Sequence, residues 1–299
     1  MTAPITKNDR SATVIKIVSF IVVVFFALIC LIPFIIMITG SFTSETYLAT
    51  HGFSLLPHDT SLFAYQFVFA VPQTIIGDYV VTILLTVIGT TIGLFLTAMT
   101  GYVLQRPDFP YRNGIAFFIY FTTLFSGGLI PYYLLIANWL HWKDNYLSIL
   151  VPLLLSPWLI IMMKSFLSSV PHSITEAAKI DGAGDFQIFT RVILPISTPA
   201  LATIGLFIAL NYWNDWYNSL LFLDNQMPYV PLQYFLYKVV TMAQFLQTSA
   251  AAMNVPATNL PGDNLKMAVA VVATGPIIFV YPFVQRYFIK GLTVGAVKG

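Results

Sequence analysis

Apolar residues run along this chain in long blocks separated by short polar intervals. A hydrocarbon core about 30 Å thick is crossed by roughly 20 helical residues, and a helix satisfies its own backbone hydrogen bonds where no water is available. Six blocks reach that length: Val14 to Ile38, Asp78 to Leu104, Ile115 to Leu140, Leu147 to Leu167, Ala200 to Leu223 and Leu265 to Tyr287. They predict an all-α polytopic membrane protein with six transmembrane helices and both termini on one side. The first block is too long for a signal-peptide core, and no small-residue cleavage pattern follows it, so it is expected to persist as a span.

Composition agrees with this pattern. Of 299 residues, 58% are hydrophobic and 9% charged, against about 45 to 50% and about 25% in soluble domains. A net charge of +2 is too small and too dispersed for a nucleic-acid partner. The placement of the basic residues says more than their number. Lys7, Arg10, Lys16, Arg106, Arg112, Lys164, Lys179, Arg191, Arg286, Lys290 and Lys298 fall on the side of the termini, leaving Lys143, Lys238 and Lys266 opposite. Basic residues in short loops resist translocation, so the N- and C-termini are predicted to be cytoplasmic. The outer loops, Gly40 to Gly77 and Asp224 to Asn264, are rich in Pro, Gly, Asn, Thr and aromatics and are expected to be ordered surface. No internal repeat is visible, and one domain is expected over residues 1–299. Cys30 is the only cysteine and lies inside an apolar block, so it reads as a packing residue.

Between the fourth and fifth blocks, residues 171–195 form the longest stretch on the cytoplasmic face that is neither span nor tail. Pro171 suits a first helical turn, Ser173 can cap with Glu176 three residues on, and Gly182 suits a helix end, which predicts a short helix over Ser173 to Asp181. A second helix begins near Asp185, with Phe186, Phe189, Val192 and Ile193 at helical spacing; Pro195 and Pro199 mark the return to the bilayer. Such a pair can lie on lipid headgroups or in a protein groove. Its poverty in basic residues favours the groove.

The same residues carry a resemblance. Glu176-Ala177-Ala178, three residues, Gly182, nine residues, Val192, one residue, then Leu194-Pro195 resembles the signature of ABC-importer permease subunits, with Val in place of the more usual Ile. The tail from Tyr281 to Gly299 is similar to the ending of the maltose-type carbohydrate group, specifically the second permease of the heterodimer. Ser126-Gly127-Gly128-Leu129-Ile130-Pro131 resembles the branch associated with oligosaccharides and uronate-containing sugars.

The resemblance implies a type I ABC importer permease fold: a single transmembrane permease domain over residues 1–299, with a cytoplasmic coupling segment over residues 171–195. It implies a homologous permease subunit, an ABC ATPase dimer and an extracytoplasmic solute-binding protein as partners, with a sugar or oligosaccharide as solute. The location implied is the bacterial cytoplasmic (inner) membrane, in contact with lipid. ATP and Mg would be bound by the partner ATPase; the chain has no G-x-x-x-x-G-K-[ST] phosphate loop and no cofactor of its own. The ATPase-coupling residues would be Glu176, Ala177, Ala178, Gly182, Val192, Leu194 and Pro195. Ala177 and Ala178 would allow close approach of the partner, Gly182 a turn closed to other residues, and Glu176 a charge or cap.

The fifth block holds a polar run from Asn211 to Asn218. An acid at the centre of a membrane helix costs about 2.5 to 3.5 kcal/mol, so Asp215 is expected at a wet path, a partner helix or the outer interface. Asn211, Asn214, Asp215 and Asn218 share one face at three- and four-residue spacing, and with Trp213 they form the candidate substrate path. An interfacial aromatic belt with interhelical hydrogen bonds is the competing reading. Gly89, Gly93, Thr97 and Gly101 form a small-residue stripe for close helix packing, against a neighbour the sequence does not name. Ser126 to Pro131 interrupts the third block and predicts a packing kink or, as the alternative, an unwound turn that exposes carbonyls to a cavity. His51, His58, His141 and His172 are scattered without metal-ligand spacing, and no catalytic constellation is present. Two alternatives remain open: a permease for a non-sugar solute, and a membrane-embedded transferase using the polar run as its active site.

Overall fold

The computed structural model describes residues 10–70, 72–224, 227–252 and 262–278. All regular elements among them are helical. The described residues group into two units, one of residues 10–70 with 239–252 and 262–272, and one of residues 72–224 and 227–238 with 273–278.

The first unit opens with α1 (Arg10–Ser41), which contains the whole first apolar block. From Thr13 to Ile35 its side chains are exposed on every side, as suits a helix surrounded by lipid or other protein rather than by water. Short helices α2 (Glu45–His51) and α3 (Phe63–Val68) lie between the first and second apolar blocks. The Glu45 carboxylate accepts from the N–H groups of Asp263 and Asn264, both at 3.0 Å, and so caps the start of the helix over residues 263–278. Lys266 ties that start to Gln247 and Asp263.

The second unit is built around α4 (Pro72–Gln105), an unbroken helix of 34 residues and so about 51 Å long at about 1.5 Å per residue. Against it pack α8 (Pro157–Leu167) and α12 (Thr198–Trp213). The small-residue stripe makes this possible, and its neighbours lie within the chain. Gly89 faces the Tyr212 ring, and a Cβ on Gly93 would stand 2.7 Å from the Leu154 carbonyl oxygen. One on Gly101 would stand 2.8 Å from Met163 Cγ. Tyr212, admitted by Gly89, donates to the Leu150 carbonyl at 2.6 Å, where the helical ladder of the fourth block is interrupted. Ala98, Tyr102, Leu159, Met163, Ile204 and Ile208 complete the core at this contact.

Three of the six predicted spans are not continuous helices. The third divides into α5 (Arg112–Leu124) and α6 (Leu129–Leu134), the latter extended by a π-helical turn over Leu135–Trp139; the two halves are bent by 114°. Gly128 sits at φ +88 in the break, a conformation that residues with a Cβ adopt at a cost. The fourth divides into α7 (Leu147–Leu150) and α8 because Ser156, preceding Pro157, is held extended. The fifth is α12, a turn over residues 214–216, and then α13 (Tyr217–Phe222). Among the described residues, α1 and α4 alone are single helices long and apolar enough to span, and each bent pair adds one if it counts as a span.

The segment between the fifth and sixth blocks, expected as ordered surface, holds regular structure. It contains α14 (Leu232–Ala252), 21 residues long, whose Leu232, Phe235, Leu236, Val239, Val240 and Ala243 recur at helical spacing. Its hydroxyl and amide content, with Lys238, reads as loop chemistry in composition although its periodicity is helical. Of the sixth predicted span, residues 263–278 are helical; its end and the tail from Tyr281 lie outside the described residues.

Candidate functional site

The signature segment forms two helices around a tight turn. The first, α9 (His172–Ile180), starts one residue before its predicted position. Pro171 takes the N-cap place without a side-chain bond, so Ser173 lies inside the first turn and the expected Ser173–Glu176 capping box does not form. Glu176 instead meets His172 Nδ1 at 3.0 Å, one helical turn back.

The end of α9 is a Schellman closure: the Ala183 N–H donates to Ala178 O and the Gly182 N–H to Lys179 O, both at 3.0 Å. Gly182 stands at φ +81, and nothing lies within 4 Å of the place its Cβ would occupy. Glycine is therefore required by backbone conformation within this chain, not by crowding. Beyond the turn comes α10 (Asp185–Ile188), continued by a π-helical turn over Phe189–Ile193 into α11 (Leu194–Ile196). An 87° bend at Ser197 then leads into α12.

This geometry divides the signature. Ala178, Val192 and Leu194 pack on the core beside the buried Ile188, Phe189 and Ile193. Glu176, Ala177, Gly182 and Pro195 face outward, beside Ile180 at 87% exposure and Phe186 at 65%. Two large apolar side chains thus stand exposed on a turn whose other side is packed on the core.

The turn is also held from the end of α4. Arg106, with its side chain 13% exposed, donates from Nε to Asp108 Oδ1 at 2.9 Å and pairs through NH1 with Asp185 Oδ1 at 2.7 Å. Lys179 Nζ reaches Asp108 Oδ2 at 2.9 Å. Hydrogen bonds from Arg106, and next from Lys179, hold the Asp108 carboxyl well below the usual carboxylate range. The Arg106 guanidinium also lies over the Tyr102 ring, which stacks on Phe189 at 5.4 Å. In the sequence Arg106 and Lys179 register only as positive charges on the side of the termini; a link such as that of Lys179 to Asp108, 71 positions apart, leaves no local pattern.

The polar run of the fifth block is arranged differently from one continuous face. α12 ends at Trp213 with Asn214 as its C-cap. Asp215 Oδ1 accepts from the Asn218 side-chain amide at 2.8 Å and from its backbone N–H at 3.3 Å, so the carboxylate closes the turn that interrupts the helix. Tyr132, on α6, donates to Asn218 Oδ1 at 2.8 Å. Asp215, Asn218 and Trp213 are buried; Asn211 and Asn214 are exposed. Tyr132, which sequence reasoning missed, also lines a cavity of about 550 Å³ with Ser126, Gly127, Gly128, Pro131 and Tyr217. Among the described residues no group of acidic, histidine or cysteine side chains is placed to hold a metal.

Apolar helices of membrane-spanning length, together with two bent helix pairs, are the form of an integral membrane protein. The chain belongs to the carbohydrate ABC-importer permeases: it is 39% identical over 274 residues to the polygalacturonan/rhamnogalacturonan transport system permease protein YtcP of Bacillus subtilis, covering 92% of this chain and 94% of that one. It is 28% identical over 299 residues to the trehalose/maltose transport system permease protein MalG of Thermococcus litoralis, covering 97% and 99%. Among solved structures it resembles a chain of a bacterial ABC transporter involved in the import of the acidic polysaccharide alginate. The TM-score there is 0.77 and the identity 31%, over 96% of this chain and 100% of that one. A scan against protein-family models found no match. Membership makes the chain an integral membrane transport component rather than an enzyme, which answers the transferase alternative.

Proposed function

We propose that this chain forms half of the translocation path of an ATP-driven carbohydrate importer in the bacterial inner membrane, paired with a homologous permease and served by a separate ATPase dimer and an extracytoplasmic binding protein. The solute is an oligosaccharide, a reading supported by the sugar transport named for its relatives. The six apolar blocks support six spans, and the distribution of basic residues supports cytoplasmic termini. The observation that carries the proposal is the Glu176-to-Pro195 turn, anchored on the core through Ala178, Val192 and Leu194 while Glu176, Ala177 and Gly182 face outward. Nucleotide-driven closure of the ATPase pulls on that outward face, and the anchored side passes the pull into the helical core.

The solute path runs beside the break in the third span. Non-helical backbone at membrane depth is tolerated where it lines a water-filled cavity, and residues 125–128 are exposed there. Tyr132 and Tyr217 offer ring faces to sugar rings, with Ser126 and the loop backbone as polar partners. Asp215 and Asn218 hold this wall in place through Tyr132, and Asn211 and Asn214 are free to meet solute. Co-purification tests the partnership. An ATPase subunit is expected to associate with the wild-type chain and to be lost when Ala177 and Ile180 are both changed to Asp. Equal recovery with both chains contradicts it.

A further inference from the structure

Arg106, Asp108, Lys179 and Asp185 form one connected ion-pair cluster that reaches both sides of the Gly182 turn from a single anchor. Lys179 belongs to the last turn of α9 and Asp185 is the first residue of α10. Arg106 directly follows α4, and Asp108 lies in the loop that leaves it. We propose that this cluster is the clamp through which movement of the turn enters α4, making Arg106 and Asp108 positioning residues for coupled transport. The inference rests on the reading of the chain as an ATP-driven permease.

Three observations carry it. The sequence route from the turn leads into the fourth and fifth spans, but the clamp adds a lateral route to the longest helix among the described residues. The grip is two-sided in kind as well as place: Arg106 forks onto Asp108 while also engaging Asp185, and Tyr102 stacks on Phe189 beneath it. A guanidinium fork fixes orientation as well as distance. α4 then runs unbroken to Asp78 and Thr82, which accept from the N–H groups of Val230 and Leu232, each at 2.8 Å, at the entrance to α14. A pull at Arg106 is thus delivered along one rigid helix to the opposite end of the unit. Partly exposed ion pairs of this kind add little stability singly, so their contribution lies in where they hold the turn.

A cavity of about 360 Å³ beside the cluster, lined by Met99, Val103, Phe109 and Phe186 among others, leaves the ion pairs as the main restraint on the outer side of α10. Without them, the turn can shift on its apolar seat before α4 responds.

The test uses the complete importer in proteoliposomes, with a galacturonate oligomer as the transported probe, and reads ATP hydrolysed per oligomer taken up. Arg106→Gln is expected to raise that ratio by about fivefold or more, the lower range of couplings between distant sites, with Arg106→Lys in between. An assembled Arg106→Gln complex with the wild-type ratio overturns the proposal. A second arm stays decisive if that variant fails to assemble. In a Cys30→Ser background, Arg106→Cys with Asp185→Cys is joined by a short thiol-reactive linker. Linking is expected to restore coupling that the pair of substitutions has lost; a linked complex that remains uncoupled, or stops transporting, overturns the clamp. Wild-type uptake that ignores ATP would instead strike the importer reading itself.

Discussion

Asp78 is fully buried on α4, and Oδ1 holds the Val230 N–H while the neighbouring Thr82 hydroxyl holds that of Leu232. Pro231 between them has no N–H to satisfy. Two orphan donors at the entrance to α14 are therefore met from another helix. Asp78→Ala strands the buried Val230 donor, at a cost of about 1 to 3 kcal/mol, which thermal unfolding of the solubilised chain will show as a lower midpoint; Asp78→Asn, which keeps an acceptor, should lose less. In the sequence Asp78 marks only the edge of an apolar block. Its partner lies 152 residues away, beyond the reach of any local pattern. Asp108 behaves differently because its carboxyl is stabilised in the charged form, first by Arg106 and then by Lys179. A depressed folded-state value gives a contribution present above the unfolded value and lost only as pH falls through the folded one. ATP consumed per solute should accordingly stay flat between about pH 8 and pH 5 as far as this clamp is concerned, both being above the usual Asp value of about 3.9. A ratio that climbs within that range in wild type but not in Asp108→Asn would contradict the assignment.

Elements were legible in the sequence to the degree that they depend on composition. Apolar blocks located α1 and α4 closely, and the signature spacing located the turn with its Gly182. The helix breaks were not all legible, because hydropathy reports what surrounds a segment and not where its ladder stops. Ser126 to Gly128 was readable as a kink. The breaks at Ser156 and at residues 214–216 depend on Pro157 forcing its predecessor extended and on Asp215 capturing a backbone donor. The polar run of the fifth block looked like one helical face for the same reason. α14 was legible in its spacing and hidden by its polar content. Close packing of α4 was foreseen from Gly89, Gly93 and Gly101, but the partners came only with the fold. Gly93→Leu drives a side chain into the Leu154 carbonyl, a fixed obstacle. Overpacking of this kind costs about 1 to 3 kcal/mol, so reduced recovery of folded protein is expected, whereas Gly114→Leu, with nothing within 4 Å, should be tolerated.

At the scale of the whole molecule, orientation and coupling are the properties that make a transport subunit. The eleven-to-three division of basic residues predicts that the turn at Gly182 lies on the cytoplasmic face. In a Cys30→Ser background, Lys143→Cys should react with a membrane-impermeant thiol reagent added to intact cells and Lys179→Cys should not; the reverse pattern would invert the topology. In the proposed function, the outward-facing turn carries ATP-driven motion into a carbohydrate path. Gly182 is its most exacting position, since φ +81 excludes a β-branched side chain at low cost while leaving the surrounding contacts free. The direct measurement is ATP-dependent uptake of a labelled galacturonate oligomer into proteoliposomes holding the whole importer, with wild type beside Gly182→Val. Uptake by wild type that requires ATP, together with continued ATP hydrolysis but little uptake by Gly182→Val, is the result this account predicts. Equal uptake by both, with the variant complex fully assembled, would contradict it.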